Sequence, residues 1–181
     1  MSIKAWVAPA AKQKMVLQDL DLGLLGIEEA EIAVEHCGLC HSDVSVLDNE
    51  WGISQFPAVL GHEVVGRVTA LGTATKGLKV GQRVGLGWYS NSCMHCRQCL
   101  SGEQHLCVNG QATIIGHRGG FAQRVRCHWA WAIPLPEKLN FAEAGPLMCG
   151  GITVFAPLAM HAKPTVRVGI IGIGGLGHMA V

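Results

Sequence analysis

Short runs of apolar residues, set between glycine-rich polar turns, dominate the first two thirds of the chain. Ile3 to Val7, Glu31 to Cys37, Glu63 to Leu71, Val80 to Leu86 and Phe121 to Cys127 alternate or cluster β-branched residues, which predicts five strands. The 73–79 stretch, with Lys76-Gly77 at its centre, reads as a hairpin connection between two of them. Many short strands with frequent glycines predict a mainly β, barrel-like first domain rather than a parallel sheet. From Phe141 the texture changes. Residues 141–148 and 152–161 predict two short helices flanking Cys149-Gly150-Gly151. Val166 to Ile171 is then a nearly all-apolar run, which predicts a buried strand leading into Gly172-Ile173-Gly174-Gly175-Leu176-Gly177.

Composition narrows the possibilities. The 181 residues are 49% hydrophobic and 15% charged, with 24 glycines. No apolar stretch reaches the 18 or more residues of a membrane-spanning helix, so no membrane partner is expected. Lys+Arg number 14 against 13 Asp+Glu, and no basic run is visible, which argues against a nucleic-acid partner. Met1 to Val7 lacks a basic segment followed by a long apolar run, so a reducing, cytoplasmic setting is expected. There, clustered cysteines favour metal over disulfides.

Eight cysteines are present, and four of them, Cys93, Cys96, Cys99 and Cys107, are spaced C-x2-C-x2-C-x7-C. Four thiolates this close can complete a tetrahedral zinc shell within one loop. The ferredoxin run C-x3-C-P does not fit, because seven residues intervene and Val108 follows the last cysteine. A looser set comprises Cys40, His62 beside Glu63, and Cys149. A catalytic zinc takes three protein ligands and keeps one position open, and Cys40, His62 and Cys149 suit that role. An ion there acts as a Lewis acid, lowering the pKa of bound water from 15.7 to about 7 in favourable sites, and an alcohol's similarly. Asp43 can accept the remaining His62 N–H and fix its tautomer. Ser42 can pass a proton outward, and Glu63 is either a supporting carboxylate or a transient ligand.

The glycine segment is G-x-G-x-x-G directly after an apolar run, the fingerprint of a dinucleotide turn. Gly172 permits the tight turn, Gly174 the approach of backbone to a pyrophosphate, and Gly177 close helix–strand packing. The phosphate would sit on the new helix N-terminus. Only four residues follow, whereas a βαβ unit needs about 30, so the chain is expected to be an N-terminal fragment. Cys37-Gly38-Leu39-Cys40-His41 also satisfies the c-type haem pattern C-x-x-C-H, which leaves a haem electron carrier as a remote alternative. A redox dithiol is a second remote reading of the same C-x-x-C.

These residues resemble the zinc-dependent alcohol dehydrogenases of the medium-chain dehydrogenase/reductase superfamily, and within it the cinnamyl-alcohol-dehydrogenase-like aldehyde reductases. The resemblance rests on CGLCHSD at 37–43, NEWG at 49–52, GHEVVGRV at 61–68, the four-cysteine lobe, CGGITVFAPL at 149–158 and GIGGLGHMAV at 172–181. It implies a GroES-like β-barrel catalytic domain over 1–150, and over 151–181 a linker helix and the start of a truncated Rossmann cofactor domain. It implies two zinc ions per chain and NADP or NAD as hydride carrier. It also implies interconversion of primary alcohols and aldehydes by the full-length parent, a homodimer. Cys40, His62 and Cys149 would bind the catalytic zinc, with Glu63 conditional. His41 would lie near the cofactor pyrophosphate, Thr153 near the nicotinamide, and Gly172, Gly174, Gly175, Leu176 and Gly177 around the phosphates. Trp51 would line the substrate pocket, with Trp88 and Tyr89 as weaker candidates. One departure stands out: family members commonly end the proton relay with histidine three residues after the hydroxyl residue, and here that position is Ser45. By itself the 181-residue chain is expected to be a zinc-binding module without turnover.

Overall fold

A computed structural model describes residues 2–181. Strands β1 (Ser2–Val7) and β2 (Val16–Asp21) form an antiparallel ribbon. β3 (Glu29–Gly38) is followed by helix α1 (His41–Leu47), β4 (Glu63–Leu71) and β5 (Arg83–Leu86). β6 (Tyr89–Asn91) and β7 (Gln111–Ala112) flank helix α2 (Arg97–Leu100) and pair with each other. β8 (Arg124–His128) and β9 (Ile133–Pro134) precede α3 (Phe141–Ala144), a 3-10 turn over Gly145–Met148, and α4 (Gly150–His161). The main sheet has the order β8-β3-β4-β5-β9 and is antiparallel throughout. Isolated bridges from Ala5 to Ala122 and Ala8 to Ala58 tie the ribbon to the segments around it.

Burial dictates the register. In β1, Ile3, Ala5 and Val7 point inward while Ser2, Lys4 and Trp6 face out, the period-two pattern that a one-residue slip would invert. β4 lies mid-sheet and is buried on both faces. Val64 and Val68 join Ile32, Val84, Leu86 and Val125 in the principal core, whereas Val65 packs on the other face against Phe141 and Ala144. Each such fully buried aliphatic side chain stabilises by about 1.5–3 kcal/mol. That second contact brings α3, and Cys149 beyond it, onto the sheet.

Inside the sheet, buried Glu31 on β3 accepts from both Arg124 and Arg126 of β8; Arg126 Nε and Nη2 lie 3.0 and 2.9 Å from Oε2. Burial opposes ionisation of this carboxyl, but the two guanidinium groups outweigh it and hold its pKa below the usual value. A depressed pKa means that the stabilisation is present above the unfolded-state pKa and is lost as pH falls through the folded one. Glu31→Gln should therefore cost about 3 kcal/mol at pH 7, because it strands two cations. Denaturant titration should show the gap between variant and parent narrowing as pH falls below the unfolded carboxyl's pKa. An unchanged gap would refute the pairing.

All five expected strands in the first two thirds form, although the fourth begins at Arg83, because Val80 lies in the exposed turn before it, and the fifth begins at Arg124. The 73–79 connection joins antiparallel β4 and β5, as expected. The first expected helix divides at Gly145-Pro146 into α3 and a 3-10 turn, because proline has no N–H for a continuing ladder. The second begins at Gly150, two residues earlier than expected. Val166–Ile171 is not a strand: it pairs with nothing among the described residues, and Ile171 is fully exposed. An apolar run becomes a strand only through a neighbour's hydrogen bonds. No single helix among the described residues is long and apolar enough to cross a membrane.

Candidate metal centres

The lobe between β6 and β7 holds Cys93, Cys96, Cys99 and Cys107. Cys96 caps α2, Cys99 lies within it, and Cys107 follows a 3-10 turn over Gln104–Leu106. The four sulfurs lie within 4.8 Å of one another, with Cys93–Cys99 and Cys96–Cys107 each at 3.9 Å. Backbone N–H groups point at them: that of Cys96 lies 3.3 Å from the Cys93 sulfur, and that of Cys93 lies 3.5 Å from the Cys107 sulfur. Hydrogen bonding from the backbone at His95 lowers the Cys93 thiol to about 6. Cys96 is pushed up to about 11: backbone hydrogen bonding at Cys99 favours its thiolate, but burial and the neighbouring cysteines outweigh that. Such crowded sulfurs cannot all ionise without a cation among them. Four soft donors converging on one point suit a tetrahedral zinc. His95 and His105 stay outside the set.

The second set is assembled from three separate parts of the chain. Cys40 is the N-cap of α1, His62 immediately precedes β4 and Glu63 opens it, and Cys149 sits where the helical segments bend by 57°. Their donor atoms also lie within 4.8 Å of one another. The Cys40 and Cys149 sulfurs are 3.9 Å apart, and His62 Nε2 is 3.3 Å from the Cys149 sulfur.

Asp43, in the first turn of α1 and buried, joins these parts. One carboxylate oxygen accepts the Cys40 N–H at 3.0 Å. The other accepts the Gly61 N–H at 2.9 Å and faces His62 Nδ1 at 3.2 Å. Gly61 adopts φ +93°, and a Cβ there would lie 2.6 Å from Phe121, so only glycine fits between the helix and the histidine.

The electrostatics call for positive charge at the centre. Burial opposes an imidazolium at His62, yet hydrogen bonds to Asp43 and Cys149 prevail and raise its pKa to about 10. Burial also opposes the Cys40 thiolate, but hydrogen bonds from Ser42 at the helix start, and the charge on His62, lower its pKa. The groups around the ring thus favour positive charge at this point. A divalent ion fits the same donor set. Burial raises the pKa of Glu63.

A cavity of 250 Å³ opens beside Cys149, walled by Ser42, Trp51, Trp88, Met148, Ile152 and Thr153. Trp88 stands edge-on to both His62 and Trp51, at 5.0 and 5.9 Å. Met148 and Ile152 were not anticipated; their position on either side of Cys149 was the available signal. Of the two weaker pocket candidates, Trp88 lines the cavity, whereas Tyr89 packs against Trp131 at 5.4 Å. Ser45 donates to the Glu50 carboxylate at 2.7 Å. Cys37 joins neither metal set, and burial pushes its thiol up to about 12.

The glycine segment turns at Gly172 (φ +85°) and enters a 3-10 turn over Gly177–Ala180. It lies close to the second metal set, since a Cβ on Gly150 would sit 3.1 Å from Met179 and 3.3 Å from Leu176. Thr153 faces the cavity, whereas His41 opens α1 and is exposed.

Residues 26–137 match the alcohol dehydrogenase GroES-like domain. The chain belongs to that family. It is 52% identical over 180 residues to aldehyde reductase AdhA of Synechocystis sp., covering 99% of this chain and 54% of that protein. A cinnamyl alcohol dehydrogenase from Sorghum bicolor superposes with a TM-score of 0.93 at 34% identity, over 99% of this chain and 54% of that one. A second, from Helicobacter pylori in complex with NADP(H), gives 0.91 at 26% identity, over 99% and 55%. The chain spans about half the length of the curated relatives it matches.

Proposed function

We propose that this chain is the metal-binding part of a zinc-dependent oxidoreductase that interconverts primary alcohols and aldehydes with NADP or NAD. Residues 1–150 form the catalytic domain, and residues 151–181 the linker helix and the start of the cofactor domain. The observation that carries this reading is the convergence of Cys40, His62, Glu63 and Cys149 beside a cavity walled by two hydroxyl side chains, Ser42 and Thr153, and two tryptophans. The names of its relatives, and the NADP(H) bound to one of them, point the same way.

Cys40, His62 and Cys149 hold the catalytic ion, Glu63 stands within reach as an exchangeable ligand, and the four-cysteine lobe holds a structural ion. When bound, the catalytic zinc supplies Lewis acidity, making an alcohol more acidic and an aldehyde carbonyl more electrophilic. The chain's own groups do the rest. Asp43 holds the His62 Nδ1 proton, so the Nε2 lone pair is directed at the ion. Trp51, Trp88 and Ile152 exclude water from the substrate's apolar part. Ser42 passes the hydroxyl proton outward, releasing its own proton toward solvent as it takes the substrate's, and Ser45, one helical turn further along α1, donates to Glu50 just beyond the helix. The turn from Gly172 through Gly174, Gly175, Leu176 and Gly177 receives the pyrophosphate, with His41 near it, while Thr153 orients the nicotinamide end. Eight free thiols suit a reducing cytoplasm, and the full-length parent is taken to be a homodimer.

Metal analysis of the purified chain tests the reading: two zinc ions per chain are expected, and one would confine metal to the lobe. In the full-length parent, an aromatic aldehyde should oxidise NADPH until a chelator removes the weaker zinc. Turnover that survives removal of that zinc would overturn the mechanism.

A further inference from the structure

The catalytic cysteine furthest along the chain, Cys149, has no covalent or motif-level link to Cys40 or His62. Something must set its distance from them. On β5, Val84 and Leu86 face the principal core, so Arg83 and Gly85, with Gly87 just beyond the strand, face the other way. All three meet the segment that ends in Cys149. The Arg83 guanidinium, nine-tenths buried, donates to the carbonyls of Glu137 and Leu139, and more distantly to that of Pro136 at 3.4 Å. Its central carbon lies 3.9 Å above the Phe141 ring, the first residue of α3. A Cβ on Gly85 would fall 2.2 Å from the Met148 sulfur, and one on Gly87 would fall 2.5 Å from the Met148 carbonyl oxygen. The two glycines therefore admit the residue next to Cys149 into contact with the strand.

We infer that the Arg-x-Gly-x-Gly face of β5 is a template that sets the position of Cys149, and that Arg83 is a positioning residue for the catalytic metal centre. This rests on the metal reading above. The chemistry explains the residue type. Carbonyls from 136–139 turned toward one point repel each other, and a planar fork of N–H donors can hold them while its face stacks on an aromatic ring. A lysine supplies one compact charge and cannot make both contacts. The Glu137 carboxylate, 3.8 Å away and largely exposed, adds little. With the fork in place, β9, α3 and the 3-10 turn form one rigid path from the sheet to the third ligand.

The test is zinc release from the metal-loaded 181-residue chain to a chromophoric chelator, with far-UV circular dichroism to monitor the fold. Zinc in the four-cysteine lobe, which Arg83 does not touch, is the internal control. Arg83→Met should weaken the catalytic-site zinc at least tenfold and leave lobe affinity unchanged, with Arg83→Lys between it and the parent. Gly87→Ala removes no charge but displaces Met148, and should weaken the same zinc selectively. A purely structural arginine would lower the denaturation midpoint without discriminating between the two metals. Equal loss at both sites, or parental affinity at both, overturns the inference. If Arg83→Met fails to fold, Gly87→Ala decides by the same criteria. A parent chain binding only one zinc would instead overturn the metal reading, and this inference with it.

Discussion

A chain carrying Cys96→Ser is expected to hold one zinc instead of two and to be cut by protease within residues 93–108 at least tenfold faster than the parent. The argument is one of what else could hold the lobe together. Leu100, Leu106 and Val108 are exposed, and within residues 93–108 only Cys99 and Cys107 are buried. Apolar burial there is too small to fix the chain, so the metal must do it. Structural zinc sites in finger peptides contribute an apparent 10–16 kcal/mol, about, far more than the few contacts within the lobe. Removing one thiolate opens the shell and leaves three crowded sulfurs. The principal core around Ile32, Val64 and Leu86 lies in the sheet rather than in the lobe, so its denaturation midpoint should shift little. Limited proteolysis with mapping of the first cut checks this. A variant that resists protease like the parent would show that the lobe does not depend on a metal.

Asp43→Ala should have the second largest effect, on stability and on the other metal at once. The carboxylate accepts from two backbone N–H groups, on either side of the centre, and faces the His62 ring. Leaving a buried donor unmet costs about 1–3 kcal/mol, so the two N–H groups together cost roughly 2–6 kcal/mol. The His62 ring also loses the partner that fixes its tautomer and orientation, a change that typically weakens metal binding about 10–100-fold. Asp43→Asn should be milder: one amide oxygen can serve only one of the two sides, and the amide NH₂ must face a donor on the other. Chelator competition and urea denaturation measure the two effects separately. Zinc affinity within twofold of the parent in Asp43→Ala would remove the carboxylate from the metal centre.

How far the sequence could be read differed from element to element. β1 was plain because its alternation is strict and one face is buried. β2 was not, because Val16 to Asp21 lies almost wholly exposed at the ribbon's edge and has no buried face to impose a pattern. Helix α1 was overlooked as a helix although three of its residues were singled out for chemistry. Seven residues hold too few turns to display a period, and its start depends on Asp43 reaching back to the Cys40 N–H. The Val166–Ile171 run illustrates the opposite error: composition suited a strand, but pairing is a property of two segments.

The four-cysteine lobe was readable because ligand spacing, turn residues and chemistry all lie within fifteen consecutive positions, and local chain geometry brings the sulfurs together. Cys40, His62 and Cys149 were also legible as residue types capable of binding zinc. Their convergence was expected from the family resemblance and not from their spacing. It depends on β4 being buried on both faces, on Asp43 bridging two loops, and on Arg83 and two glycines fitting a distant segment to β5. Those contacts join positions tens of residues apart, and linear order carries no distance between such positions until the core has packed.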